Sequence, residues 1–125
     1  MKLKFSQLVN AQAALQSLSA KQMGVRGAVH IARNLRTIQS ELEIYNQKRI
    51  AILERLGTIS EDNTQYLFNN GNAEKFQVEL AALLAVEIET PVTLIPLDDL
   101  ADVKMQPQEM VVLDWMFTEN TGKPE

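Results

Sequence analysis

The stretch that decides the fold is residues 19–57, which read SAKQMGVRGAVHIARNLRTIQSELEIYNQKRIAILERLG. From Ala28 to Leu56, mostly apolar residues recur at alternating steps of three and four, the spacing that keeps one side of a helix against a partner. Ser19 and Gln22 form a capping-box pattern at the start, and Gly57 is placed to end the helix. The pattern predicts one long helix over about residues 20–56.

The seam of this helix follows a heptad pattern. Its a positions are Ala28, Leu35, Leu42, Arg49 and Leu56, and its d positions are Ile31, Ile38, Tyr45 and Ile52. In parallel coiled coils leucine at a with isoleucine at d favours more than two strands, although packing against helices of the same chain would use the same stripe. We therefore predict a homo-oligomer, a dimer or larger, and leave the helix orientation open. Arg49 is expected to extend to solvent or to pair with a carboxylate.

Shorter elements flank the long helix. Helical spacing of apolar residues predicts helices over about residues 7–17, 73–85 and 107–117, the last opened by Pro107. Residues 58–72 are expected to form a loop with a brief extended piece, and residues 86–95 to hold one or two short strands around Pro91. The predicted fold class is mainly α (α+β): a long coiled-coil-like helix packed with three shorter helices and a small β element near residues 86–95.

The composition is that of an ordinary globular protein. The 125 residues suit a single helical domain, residues 1–125, and the apolar share of 46% is enough for a core. The absence of cysteine excludes disulfides and thiolate metal sites, and no run approaches the ~18 apolar residues of a membrane span. With no signal-peptide segment evident, these features predict a cytoplasmic protein with no membrane association.

Charge is divided unevenly along the chain. Residues 1–40 contain six Lys or Arg and no acidic residue, whereas residues 41–125 contain all 16 acidic residues and six basic ones. Such an asymmetry is informative about partners rather than about the fold. Either the two parts attract each other, within the fold or across an oligomer interface, or the basic part binds an anion.

A basic stripe on the long helix is the candidate ligand site. Its members are Lys21, Arg26, His30, Arg33 and Arg36. Arg26, His30 and Arg33 stand at i, i+4 and i+7 and share one face. The small Gly24 and Gly27 near the helix start favour a close helix crossing over a kink or a ligand near the backbone, although they would also let a phosphate approach. The stripe predicts binding of a small anionic nucleotide; its alternative is a solvated face or bridges to acidic residues. Duplex DNA is not expected, because the chain as a whole is acidic.

Catalytic patterns are missing from the sequence. His30 is the only histidine, and no nucleophile elbow, P-loop or dinucleotide-binding glycine motif is present. Asp98, Asp99 and Asp102 could hold a hard cation but fit a solvated turn better. We therefore predict a protein that is not an enzyme and has no cofactor or metal; an enzyme acting through His30 and a carboxylate is a third alternative.

Four segments carry a resemblance that covers nearly the whole chain. They are the opening KLKFSQLVNAQ, residues 32–35 (ARNL), residues 95–100 (IPLDDL) and residues 113–116 (LDWM). In these segments the chain resembles a group of small phage and prophage proteins of uncharacterised function. The motifs are architectural, so no functional residue can be carried over. Ala20 stands where such proteins often start the long helix with proline.

The resemblance implies a phage-encoded protein. Small accessory phage proteins without catalytic residues commonly act by binding, which is an argument by analogy. The expected function is a non-enzymatic binding protein that counters defence in the host cytosol, by sequestering a small nucleotide signal or by blocking a host defence protein. The alternative is a structural or assembly protein, or a chaperone, in phage morphogenesis.

Overall fold

The computed structural model describes residues 1–118 of the chain. The helices are α1 (Phe5–Ser19), α2 (Val25–Leu56), α3 (Asn72–Leu84) and α4 (Pro107–Leu113), and single 3-10 turns span Leu97–Leu100 and Asp114–Met116. The strands are β1 (Lys2–Lys4), β2 (Gly57–Ile59), β3 (Tyr66–Phe68), β4 (Glu87–Glu89), β5 (Ile95–Pro96) and β6 (Phe117–Thr118). The predicted class, mainly α with a long helix, three shorter helices and a small β element, is confirmed.

The core forms where α1 packs against both the first half of α2 and α4. The seam residues Ile31, Ile38, Leu42 and Tyr45 are buried there, together with a row of α1 side chains. That row is Phe5, Leu8, Ala11, Leu15 and Leu18. From Ile31 to Tyr45 the seam is thus largely filled from within the chain, which is the intramolecular alternative that the heptad pattern had left open; Leu35 is half-buried there, and Ala28 before it is exposed. Arg49 is half-buried, as are Ile52 and Leu56 beyond it.

The start of the long helix differs from the prediction. α1 continues to Ser19, whose hydroxyl donates to the Gln16 carbonyl at 2.7 Å, so the predicted capping box with Gln22 does not form. A connection from Ala20 to Gly24 follows, and Gly24 is the residue that precedes the first turn of α2. The physical reason is packing, because burying both Leu18 and Ile31 in one core requires the chain to turn between them.

Three small two-stranded sheets tie the chain together. β1 pairs antiparallel with β4, which sets Lys2 opposite Glu89 and Lys4 opposite Glu87. Opposite charges facing each other across strands stabilise such a pair. β2 and β3 form an antiparallel hairpin, and β5 pairs in parallel with β6. The strip near residues 86–95 therefore pairs within the chain, although its two strands pair with distant segments and not with each other.

A buried asparagine fastens the segment between β4 and β5 to α2. The Asn34 amide donates to the Thr93 carbonyl at 2.9 Å, and the Thr93 amide donates back to the Asn34 side-chain oxygen at 2.8 Å. This reciprocal pair satisfies a side chain that would otherwise be costly to bury.

The last helix is shorter than predicted. Pro107 does occupy its first position, but α4 ends at Leu113 and the chain continues as a 3-10 turn before Phe117 joins β6. The tighter turn buries Met116 beside Leu113. Within residues 1–118, no helix combines the length and the apolar composition that crossing a membrane requires.

Candidate functional site

The structure divides the predicted basic stripe into three parts. Lys21 lies in the connection before α2, Arg26 and His30 lie in the first two turns of α2, and Arg33 and Arg36 lie further along its exposed side. The five residues therefore do not converge on one pocket.

Arg26 and His30 face an internal carboxylate. Arg26 Nη1 lies 4.0 Å from Asp99 Oδ1, and His30 Nδ1 lies 3.4 Å from Asp99 Oδ2. The Asp99 side chain is only 10% exposed, whereas that of Arg26 is 79% exposed. No described residue hydrogen-bonds His30 Nδ1 or Asp99 Oδ2, so the two buried atoms have each other as nearest polar counterpart. Asp99 is thus an internal anionic neighbour of both Arg26 and His30, and the phosphate site at these residues stays a prediction.

The approach of Asp99 depends on Gly27. A Cβ atom built on Gly27 would lie 2.8 Å from the Asp99 carbonyl oxygen and 2.9 Å from Leu100 Cδ2. Gly27 therefore permits the 3-10 turn at Leu97–Leu100 to lie directly on α2. The small size of Gly27 thus serves a close crossing within the chain, as its preferred interpretation from the sequence predicted, whereas Gly24 has no atom within 4 Å of its Cβ position.

Lys21 is engaged by a different part of the chain. Its ammonium donates to the Lys104 carbonyl and lies 3.9 Å from Glu109 Oε1. Lys21 thereby fastens the connection before α2 to the start of α4. Together with the Asp99 contacts, this pairing shows that some basic residues of the first 40 positions pair with acidic residues of the same chain.

Arg33 and Arg36 remain as exposed cations. Neither forms an ion pair or a side-chain hydrogen bond with any residue of the described part, 1–118. On the same side of the helix, Val25 is 82% exposed and Val29 is 41% exposed. Val25, Val29 and Arg33 are spaced four residues apart, and Arg36 follows Val29 by seven residues, so all four lie on one side of the helix. We call these four residues the α2 basic face.

Cavities near the stripe are small. The one beside the start of α2, between Lys21, Ile31 and Leu35, has a volume of about 120 Å³. Small-molecule sites usually enclose about 300–1,000 Å³. A larger open groove of about 650 Å³ lies elsewhere, between the end of α2 and α3. The cavity beside the start of α2 is therefore smaller than a usual small-molecule site.

The acidic turn also differs from its predicted form. Asp98 and Asp102 are exposed, as expected for a solvated turn, but Asp99 is turned inward to His30. Among residues 1–118 no group of three or more His, Asp or Glu side chains is arranged to hold a metal ion. One feature of the sequence indicated the inward position of Asp99. The uneven distribution of charge predicted, as one alternative, that the acidic part of the chain is attracted to the basic part.

Comparison with known proteins returned no relative. No protein-family model, no curated protein and no solved structure matches the chain. The resemblance to phage and prophage proteins therefore stays a prediction.

Proposed function

We propose that this protein is a non-enzymatic binding protein that docks an acidic surface of another protein through the α2 basic face. The observation that carries this proposal is the contrast along one helix. Arg26 and His30 already face Asp99, while Arg33 and Arg36 have no carboxylate among residues 1–118 and stand beside exposed valines.

The chemistry of the α2 basic face favours a protein over a small nucleotide. Arginine is enriched at protein interfaces, and the exposed valines beside it provide apolar surface that a protein partner could cover. A nucleotide would need an enclosing cavity, and the one beside the start of α2 is too small. Of the two modes of action predicted from the sequence, sequestration of a nucleotide and blocking of a protein, the second is the one we carry forward.

The partner is expected to be acidic. The first 40 residues of the chain contain no Asp or Glu, so an approaching acidic surface meets no repelling carboxylate from that segment. Complementary charge of this kind raises the association rate and selects against basic partners. A phage origin and a host defence protein as the target stay predictions that agree with this mode of binding.

The test compares what is captured by wild-type protein and by the double charge reversal Arg33→Glu/Arg36→Glu in a bacterial lysate. We expect a partner that wild type retains and the double variant loses. The control is Lys48→Glu/Lys104→Glu, which makes the same change in net charge at two exposed positions away from the α2 basic face. Both double variants should keep wild-type stability within about 1 kcal/mol, since exposed substitutions usually cost little.

The captured protein is then purified and titrated with wild type at several salt concentrations. Binding should weaken as salt rises, because exposed charges are screened. Retention of the same partner by Arg33→Glu/Arg36→Glu would refute the proposed face. Capture of a virion component instead would favour the assembly alternative, and a rise in melting temperature with a nucleotide that is lost in the double variant would favour sequestration.

A further inference from the structure

A second surface lies on the segment that runs from the end of α2 through α3. From Asn46 to Glu89, which takes in the end of α2, the β2–β3 hairpin and α3, no side chain is fully buried. Apolar residues in this segment, which we call the arm, are covered only in part; among them the rings of Phe68 and Phe76 stack at 5.3 Å. The arm thus has apolar contacts of its own but no closed core.

The outer side of α3 is apolar at its middle and its end. Val78 is 70% exposed at the centre of the helix, and the exposed alanines Ala81, Ala82 and Ala85 follow it. The groove of about 650 Å³ runs beside Val78, and Leu56 contributes to its wall. Small side chains on this side of α3 would let another helix approach closely.

The charges around this groove are balanced. Two cations, Arg55 and Lys75, and two carboxylates, Glu74 and Glu79, line it, and Arg55 pairs with Glu79. A strongly acidic or strongly basic partner would be repelled by one of these two sets. In a two-fold interface the same surface of both copies is in contact. A surface with equal numbers of cations and carboxylates can therefore pair the cations of one copy with the carboxylates of the other.

We propose that a second copy of this chain packs on the arm, with the two α3 helices antiparallel about a two-fold axis near Val78. Val78 is the middle residue of Asn72–Leu84, so antiparallel pairing sets it opposite its own copy. The same pairing brings Lys75 level with the last turn of the other α3. That turn carries no basic residue, and a cation there is favourable for the helix dipole.

This interface differs from the one that the heptad pattern predicted. From Ile31 to Tyr45 the α2 seam is largely filled from within the chain, so that part is not open to another molecule. The arm interface is also separate from the α2 basic face and does not depend on the proposed function. A variant of one surface should therefore leave the other working.

The test is sedimentation equilibrium over about 1–100 µM, the range in which interfaces of modest size dissociate. Wild type should approach twice the chain mass of 14.1 kDa. Val78→Lys should sediment as a monomer, with dimer affinity lowered at least about tenfold, because it sets two like charges together at the axis. Val111→Lys is the matched control, since Val111 is 71% exposed on α4, and it should dimerise like wild type.

Disulfide trapping gives a second measurement that does not rely on loss of association. The chain has no cysteine, so Val78→Cys introduces a single thiol. Oxidation should convert it to a covalent dimer, while Val111→Cys should cross-link no faster than free collision allows. A monomeric wild type at the highest concentration, or Val78→Lys and Val78→Cys that behave like their Val111 controls, would overturn the arm interface. Arg33→Glu/Arg36→Glu should dimerise normally.

Discussion

Gly27 shows how a single residue sets the geometry around Asp99. Helix propensity alone would favour alanine at this position by about 1 kcal/mol. The structure opposes it, because the new Cβ would meet the Asp99 carbonyl oxygen at 2.8 Å, and a backbone atom cannot swing away as a side chain can. At position 27, the close contact between α2 and the 3-10 turn therefore outweighs the higher helix propensity of alanine.

Gly27→Ala is therefore expected to destabilise the fold by up to about 2 kcal/mol, since overpacking usually costs about 1–3 kcal/mol and the propensity gain of about 1 kcal/mol is subtracted from it. Urea denaturation measures this difference. Gly24→Ser is the control: a Cβ at Gly24 has no atom within 4 Å, and serine can cap the start of α2. It should be neutral or stabilising by a few tenths of a kcal/mol; equal losses at both glycines would contradict the account.

Asn34 is the residue that sequence reasoning missed. It lies outside the a and d positions, and a polar residue on a helix is usually assigned to the solvent side. The structure buries it, and its bonds to Thr93 are made across 59 residues of sequence. No local pattern reports a contact at that separation.

We expect Asn34→Ala to lower the free energy of unfolding by about 2–4 kcal/mol, because it leaves two polar groups of Thr93 without partners and opens a cavity. Asn46→Ala on the same helix is the matched control, since Asn46 is exposed, and it should change stability by less than about 0.5 kcal/mol. Both values come from urea denaturation. A loss below about 1 kcal/mol for Asn34→Ala would show that the hydrogen bonds between Asn34 and Thr93 contribute little to stability.

Among the elements, the helices were predictable and the short strands were only partly so. Repeats of three and four residues located all four helices, because burial of one side imposes that spacing. The start of α2 was misplaced because Ala20, Lys21, Gln22 and Met23 are all good helix formers, and only the packing of Leu18 requires a turn there. β2 was missed because three residues are too few to show an alternating period.

The tip of the β2–β3 hairpin offers a pH test. Hydrogen bonds from the Ser60 hydroxyl, and then from the Thr64 hydroxyl and amide, lower the pKa of Asp62 below its ordinary value. A carboxylate with a lowered pKa contributes stability above its ordinary pKa and loses that contribution as the pH falls through the lowered value. The hairpin tip should therefore loosen only on the acid side.

An NMR titration of the carboxyl carbons should give Asp62 a pKa below the ordinary value of an aspartate. Ser60→Ala removes the largest cause and should move the pKa of Asp62 upward, toward its ordinary value. An Asp62 pKa that does not respond would mean that the hydrogen bonds of this turn do not persist in solution.

For the whole molecule, charge segregation is the feature that links fold and function. Part of the basic segment is satisfied internally, through Lys21 with Glu109 and through Arg26 and His30 with Asp99. The charge distribution predicted internal attraction and anion binding as alternatives. It could not tell which basic residues pair within the chain and which stay available to a partner, because this depends on the carboxylates that the turns bring near α2. The structure leaves Arg33 and Arg36 outward, and the proposed function follows from that division.

Mapping the α2 basic face by NMR is the most direct test of the proposed function. Backbone amide shifts of the wild-type protein are followed during titration with a synthetic peptide rich in glutamate and leucine, and separately with a mononucleotide. We expect the peptide to perturb Val25, Val29, Arg33 and Arg36, to lose this effect in Arg33→Glu/Arg36→Glu, and the nucleotide to cause no saturable change. Saturable nucleotide shifts around Arg26 and His30, or peptide shifts that persist in the double variant, would contradict the account.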